Sequence, residues 1–276
     1  MTVQSDLDAS PLGRATAYRE GYDPGLLFPV DRAPQRALIQ LGADLPFRGV
    51  DQWTAYELSW LDAQGKPQVA IATFVVPAES PRVVESKSVK LYLTAMNQTR
   101  FASASEVRGA IARDLTKTTG GAVAVTLTLP EDFATLRYAE LGGVCLDAVP
   151  LGAERYELAP ELLSADGPAV VESLHSRLFR SVCPVTGQPD YASVQIDYRG
   201  SRIDRAGLLG YLVSFRKHPG FHEHCVERIF VDVWRRCRLD ALSVQARFTR
   251  RGGIDINPYR TSGDEPAPPN ARTAQQ

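Results

Sequence analysis

The feature that most constrains this chain is a duplicated order of landmarks. Tyr92-Leu93 matches Tyr211-Leu212, Phe101 matches Phe221 and Arg108 matches Arg228, all at a nearly constant offset. Internal duplication of a ββααββ unit is the economical explanation, since a fixed period is the mark of a repeated supersecondary unit. The expected fold class is α+β: tandem units, each an antiparallel sheet with its helices packed on one face.

Local patterns support this order. Tyr56, Leu58 and Trp60 alternate with polar or small residues, and Val69, Ile71 and Thr73 continue the pattern beyond Asp62 to Pro67. Gly65 and Pro67 make that stretch the turn of a β-hairpin. Glu85 to Leu93 mixes polar and apolar residues and begins either a helix or a loop. Ser103-Ala104-Ser105-Glu106 is a capping box, followed at helical spacing by Val107, Ile111 and Leu115 and ended by Gly120-Gly121. Ala122 to Leu129 reads as a strand, with room for one more before the second half begins. There Val194, Ile196 and Tyr198 alternate as a strand, and Ile203–Phe215 and His222–Trp234 are helical. The second of these helices carries Cys225, Val226, Ile229 and Val233 on one face. Leu242 to Phe248 is again a strand. Pro, Gly, Asp and Ser gather between Pro160 and Pro168, which sets expected domains of 1–165 and 166–276. The tail from about 262, rich in Pro, Ala, Asn and Gln, is expected to be disordered.

Charge narrows the ligand. Over 276 residues, 44% hydrophobic and 23% charged, the formal net charge is -1, which gives no general pull toward nucleic acid or membrane. Arg247, Arg250 and Arg251 form a local basic cluster suited to a small anion. Met1 to Ser10 carries two Asp and no apolar run, so no secretory signal is read there. No stretch reaches the roughly 18 apolar residues of a membrane helix. Cys145, Cys183, Cys225 and Cys237 are widely spaced and form no CxxC pair, which suggests reduced thiols in the cytoplasm.

Four segments could carry chemistry. Cys183-Pro184-Val185-Thr186-Gly187-Gln188-Pro189-Asp190 is a tight loop that holds a thiol and a carboxylate at a strand mouth. A nucleophilic thiol needs activation, and Asp190 suits proton exchange; an inert buried cysteine beside an ordinary turn is the alternative. His222-Glu223-His224-Cys225 opens a helix. Histidine exchanges protons near neutral pH, and Glu223 can accept hydrogen bonds from an amino-purine edge; an ordinary acidic first turn would look the same. Zinc on His222, His224, Cys225 and Cys183 is a weaker option, because residues two apart on a helix point in different directions. Glu85-Ser86-Lys87-Ser88-Val89-Lys90 matches either a phosphate and a base edge or a solvated face. Arg250-Arg251-Gly252-Gly253 can wrap a phosphate or form a polar turn. No GxGxxG occurs, so a Rossmann site has no support.

Taken together, Glu85 to Tyr92, Cys183 to Asp190, Phe221-His222-Glu223 and Arg250-Arg251-Gly252-Gly253-Ile254-Asp255-Ile256-Asn257-Pro258 resemble the NADPH-dependent 7-cyano-7-deazaguanine reductase (QueF) family. Tyr56 to Trp60 and Asn97 to Phe101 extend the likeness, which runs from about Tyr18-Arg19 to Asn257-Pro258. The resemblance implies the long form of the family, built from tandem tunnelling-fold (T-fold) units, acting as a cytoplasmic homodimer on a free base in the queuosine pathway. It implies that Cys183 adds to the substrate nitrile as a thioimide, with Asp190 as proton donor and His222 assisting. Val84, Glu85, Ser86, His222 and Glu223 would bind the base. Ser86, Lys87, Arg251 and Gly252 would hold NADPH. No metal is implied, and His224 falls outside the family motif. The competing classes are a zinc-dependent purine- or pterin-ring hydrolase of the same superfamily and a non-catalytic purine- or pterin-binding module.

Overall fold

Residues 21–152 and 155–276 are described by the computed structural model. Met1 to Ser10, read above for a signal, and Tyr18-Arg19, where the family likeness begins, lie outside them. In chain order the first elements are β1 (Pro29–Asp31), α1 (Ala33–Ala37), β2 (Arg48–Leu61), β3 (Pro67–Pro77), β4 (Arg82–Val84), α2 (Ser86–Ala95), α3 (Ala104–Thr119) and β5 (Ala124–Thr128). There follow β6 (Val144–Cys145), β7 (Ala165–Val182), β8 (Pro189–Ile203), α4 (Arg205–Ser214), α5 (His222–Cys237), β9 (Ala241–Phe248) and β10 (Ile254–Thr261). The chain divides into two units. One takes the residues through Gly42 with Asp51–Arg137 and Arg250–Ile256; the other takes Ala43–Val50, Tyr138–Thr249 and Asn257–Gln276.

In the first unit the sheet runs β5-β3-β2 and continues to the start of β10. On β3 it is Ala70, Ala72, Phe74 and Val76 that enter the core, while Val69 is exposed. The alternation read over Val69, Ile71 and Thr73 therefore has the right period, while the residues between them, the small Ala70 and Ala72, face the core under the helices. Val89, Tyr92 and Met96 of α2 and Val107, Ile111 and Leu115 of α3 pack onto the same core. Glu85 to Leu93, open between helix and loop, is resolved as helix α2 with Glu85 as its N-cap. The capping box forms in a variant: Ser103 accepts from Glu106 N, but Glu106 accepts from Ala102 N rather than from the cap itself. Gly120 ends α3 in the left-handed region at φ 77°.

The second unit has the full ββααββ order β7-β8-α4-α5-β9-β10. Neighbours β7-β8, β8-β9 and β9-β10 are antiparallel. β6 is the exception, pairing parallel to β7 through Val144–Leu174 and Cys145–His175. The extra strand expected to close the first half is thus a two-residue edge of the second unit. The two units carry the same buried signature: Tyr92 Oη donates to Asp114 at 2.8 Å, and Tyr211 Oη donates to Asp232 at 2.7 Å. Burial is the main cause that raises the phenol pKa in both. A shared helix-to-helix bond of this kind is what a duplicated unit leaves behind.

Two expected boundaries differ in the structure. The expected boundary segment is packed: Ala159 and Leu163 are buried, Pro160–Leu162 forms a 3-10 turn, and Arg236 Nε donates to Pro160 O at 3.1 Å. The division falls after Arg137 instead of 165. The tail expected to be disordered from about 262 lies against the second unit. Gln276 Nε2 donates to Phe248 O and Asn257 Oδ1, and Arg247 donates to Pro269 O and Asn270 Oδ1. Polar side chains there find buried partners, which composition alone does not register.

Candidate active site

The anticipated site residues form two groups, one in each unit. In the second unit the loop from Cys183 is the turn of the β7–β8 hairpin. Val182 faces Pro189 and Ser181 faces Asp190 across the ladder, and Cys183 N donates to Gln188 O at 2.8 Å. This register sets Ser181, Cys183 and Asp190 on one face, with Cys183 and Asp190 one diagonal step apart. The burial agrees: Ser181, Cys183 and Asp190 are buried, and Pro189 between them is exposed. Gly187 turns the loop at φ 67°, where a side chain would be strained.

The segment entering α5 is tied to the same hairpin. Val182 N donates to His218 O at 3.0 Å, and Gly220 N donates to Val182 O at 3.1 Å. The residue before the thiol is therefore fixed to the backbone that delivers His222 and Glu223. His222 Nε2 lies 3.5 Å from Asp190 Oδ2, and its ring stacks on Phe248 with centroids 3.8 Å apart and planes 6° from parallel. Phe248 pairs with Ala192, two residues beyond Asp190 and on its face. Glu223 follows in the first turn of α5 and is buried. Thiol, carboxylate, imidazole and a second carboxylate are thus gathered on one rigid corner. Such a group can add a nucleophile to an electrophilic carbon and pass protons to the atom next to it. Among the described residues no three His, Cys, Asp or Glu side chains are grouped as a metal requires. His222 lies on Phe248, whereas the His224 ring faces that of His218 with centroids 6.5 Å apart.

In the first unit the base-binding candidates meet where β4 enters α2. Glu85 caps that helix, its two oxygens accepting from Lys87 N and Ser88 N, each at 2.7 Å. Glu85 N donates to Phe28 O, and Phe28 N donates to Ser88 Oγ, so β1 and the residues before it brace the corner. Burial raises the Glu85 pKa, and the two amide bonds pull against that shift. Oε1 also accepts from Ser86 Oγ at 3.5 Å, so the spare acceptor capacity for a ligand lies mainly on Oε2, held in a fixed direction. Val84 beside it is buried and pairs with Pro29.

Arg251 and Gly252 lie in the same unit. Lys90 Nζ donates to Gly252 O at 2.7 Å and to Glu57 Oε2 at 2.8 Å, so it pins the diglycine turn. A Cβ on Gly253 would lie 2.4 Å from Glu57 Cδ, and Gly252 and Gly253 sit at φ 62° and 79°. Only glycine fits this turn. Sequence reasoning missed three supports: Lys90 as anchor of the turn, Phe248 as floor for His222, and the 218–220 backbone that holds Val182. Phe248 ends an alternating strand, and that position was the only signal available.

His218 gives the corner a pH dependence. Burial, with help from the Arg228 charge, lowers its pKa from 6.5 to about 4. Between these values the unfolded chain takes up a proton that the folded chain refuses, so stability falls as pH drops from about 6.5 toward 4. Roughly 3 kcal/mol is the upper bound for such a shift. Thermal unfolding of wild type should lose more stability between pH 7 and pH 4.5 than that of His218→Gln. Equal losses in the two proteins would remove His218 as the cause.

Residues 18–127 match the family model described as "Nitrile reductase, 7-cyano-7-deazaguanine-reductase N-term", and residues 189–267 match "QueF-like protein". A protein of Bordetella parapertussis named NADPH-dependent 7-cyano-7-deazaguanine reductase is 55% identical over 271 residues, covering 98% of this chain and 99% of its own. A Burkholderia pseudomallei protein of the same name is 58% identical over 269 residues, covering 97% and 98%. A solved archaeosine synthase QueF-Like chain in the apo form aligns over 37% of this chain and all of its own, with 20% identity and a TM-score of 0.31.

Proposed function

Because this chain belongs to the NADPH-dependent 7-cyano-7-deazaguanine reductase family, we propose that it reduces the nitrile of 7-cyano-7-deazaguanine to the aminomethyl group, in the queuosine pathway. The observation that carries the residue assignment is the shared face of Cys183 and Asp190 with His222 3.5 Å from the carboxylate. A nitrile carbon is a poor hydride acceptor. As the Cys183 sulfur adds to the nitrile carbon, Asp190 takes up the thiol proton and passes a proton to the nitrile nitrogen, which makes a covalent thioimide that accepts hydride more readily. Bound NADPH would supply the hydrides, one from each of two cofactor molecules per nitrile. Loss of the Cys183 thiolate after the first leaves an imine, which the second converts to the amine. His222 returns protons to Asp190 between the two steps. The buried corner keeps water from the hydrolysable intermediate.

The first unit supplies residues suited to the ligands. Val84, Glu85 and Ser86 of the first unit would contribute to base binding, as would His222 and Glu223 of the second. Ser86, Lys87, Arg251 and Gly252 would hold the cofactor. The fit rests on the pinned diglycine turn, which leaves Gly252 without a side chain beside Arg251, and on Lys87 at the N-terminal turn of α2. A cytoplasmic setting agrees with four free cysteines, and no helix among the described residues is long and apolar enough to cross a membrane. Homodimer assembly would bury exposed apolar side chains such as Val171, which is 84% exposed.

Anaerobic mixing of the protein with the nitrile and NADPH should consume two NADPH per amine formed. Binding without consumption would favour the binding-module reading. Lys87→Ala and Arg251→Ala should each raise the KM for NADPH, because a charge-assisted contact contributes about 1.5–3 kcal/mol. Unaltered NADPH dependence in both would return these residues to a solvated face. Glu223→Ala should weaken substrate binding by roughly 1–3 kcal/mol, the cost of leaving a buried base donor unpaired. Titration calorimetry that finds the base bound undiminished would remove Glu223 from the site.

A further inference from the structure

A cleft of about 560 Å³ opens in the first unit, between the segment around Tyr22–Pro29 and α3, and the activity described above leaves it without a role. Its walls carry three cations, Arg82 from β4 and Arg113 and Lys117 from α3, against one carboxylate, Asp114. That carboxylate is already committed. It is buried, accepts from Tyr22 Oη and Tyr92 Oη, and lies 3.4 Å from Arg113 Nε. Arg113 also donates to Tyr22 Oη at 3.1 Å, yet its side chain stays 66% exposed. Lys117, one helical turn further along the same face, is exposed, and among the described residues neither it nor Arg82 ion-pairs with a carboxylate. The Arg82 Nε atom is buried with no hydrogen-bond partner among the described residues. Its Nη2 atom donates to Lys117 O at 3.5 Å, a long bond that keeps the guanidinium beside Lys117 in the cleft wall. Beside the cations, Leu27 and Pro29 form an apolar wall. The volume suits a ligand of nucleotide size.

We propose that this cleft binds the phosphate monoester of a nucleotide-sized ligand, with Arg82, Arg113 and Lys117 around the phosphate and the ring against Leu27 and Pro29. A monoester dianion matches three cations better than a diester, which carries one charge. Two sources share this chemistry: the 2′-phosphate of NADPH and a separate mononucleotide. The site stands on the first unit alone and does not depend on the reductase reading.

Titration calorimetry on the full chain with 2′-AMP, adenosine and inorganic phosphate tests it. 2′-AMP should bind, and adenosine should bind at least about 10-fold more weakly. Arg113→Gln/Lys117→Gln should weaken 2′-AMP roughly 10–100-fold, whereas Lys87→Ala/Arg251→Ala should leave it unchanged. Because Arg113 also braces Tyr22, Lys117→Gln alone serves as the variant that leaves the fold untouched, and it should still weaken 2′-AMP several-fold. Equal affinity for 2′-AMP and adenosine would overturn the proposal, as would an unchanged 2′-AMP affinity in both variants. Loss of 2′-AMP in Lys87→Ala/Arg251→Ala would also overturn it, by moving the phosphate to the other site. The preference of the reductase for NADPH over NADH then names the source. A smaller preference in Lys117→Gln assigns the cofactor's own phosphate, and an unchanged one assigns a separate nucleotide; both keep the site.

Discussion

Cys183→Ala should neither capture the nitrile nor reduce it. Without NADPH, wild-type protein mixed with 7-cyano-7-deazaguanine should gain the mass of one substrate molecule in intact mass spectrometry, because thioimide formation adds the whole nitrile and expels nothing. The alanine variant should gain none, and turnover should fall on the order of 10⁴–10⁶-fold, as it does when a nucleophile acting in a unit with its base is removed. The other thiols are poor substitutes. Burial pushes Cys225 up to about 12 and Cys237 up to about 11, so both are almost wholly protonated at neutral pH. Cys145 is exposed on the β6 edge, with Arg177 Nη1 3.3 Å from its sulfur. An adduct that persists in Cys183→Ala would move the nucleophile elsewhere. A wild type that stays unmodified while still consuming NADPH would remove the covalent step altogether.

Periodicity made the elements legible, and hydrogen bonding decided what periodicity could not. Spacing alone identified α3, α5 and β9, because each carries an uninterrupted apolar pattern on a single face. On β3 it gave the period but not the face, because alanine is a weak apolar signal and Ala70 and Ala72 take inward positions. It left α2 open, because the first turn of that helix is polar. The helix depends there on the Glu85 carboxylate taking two end amides, a contact that no hydrophobic pattern records. The tail was misread for the same reason: Gln276 and Asn270 look like disorder by composition, yet by geometry both are bound to the second unit as donor and acceptor. In the candidate site the residues assigned to ligands came from motif likeness. Their supports, Lys90 under the diglycine turn and Phe248 under His222, are long-range contacts and needed coordinates.

Asp190→Asn should separate binding from chemistry. The substitution keeps shape, and the amide oxygen still accepts a hydrogen bond, so the β7–β8 register and the stacking of His222 on Phe248 should survive. Asparagine has no carboxylic proton to give to the nitrile nitrogen as sulfur adds to carbon. Loss of a positioned proton donor typically costs roughly 10²–10⁴-fold in rate. Single-turnover NADPH oxidation should slow by that factor, while titration of the nitrile should return a dissociation constant close to wild type. The His222 imidazole, 3.5 Å from the carboxylate, sets the other half of the test. If it only resupplies Asp190, His222→Ala should slow turnover and add little further loss in the Asp190→Asn background, because the two act along one proton path. If it protonates substrate itself, the losses should multiply. A wild-type single-turnover rate in Asp190→Asn would end the assignment of Asp190 as donor, since no rearrangement of the corner gives an asparagine that proton.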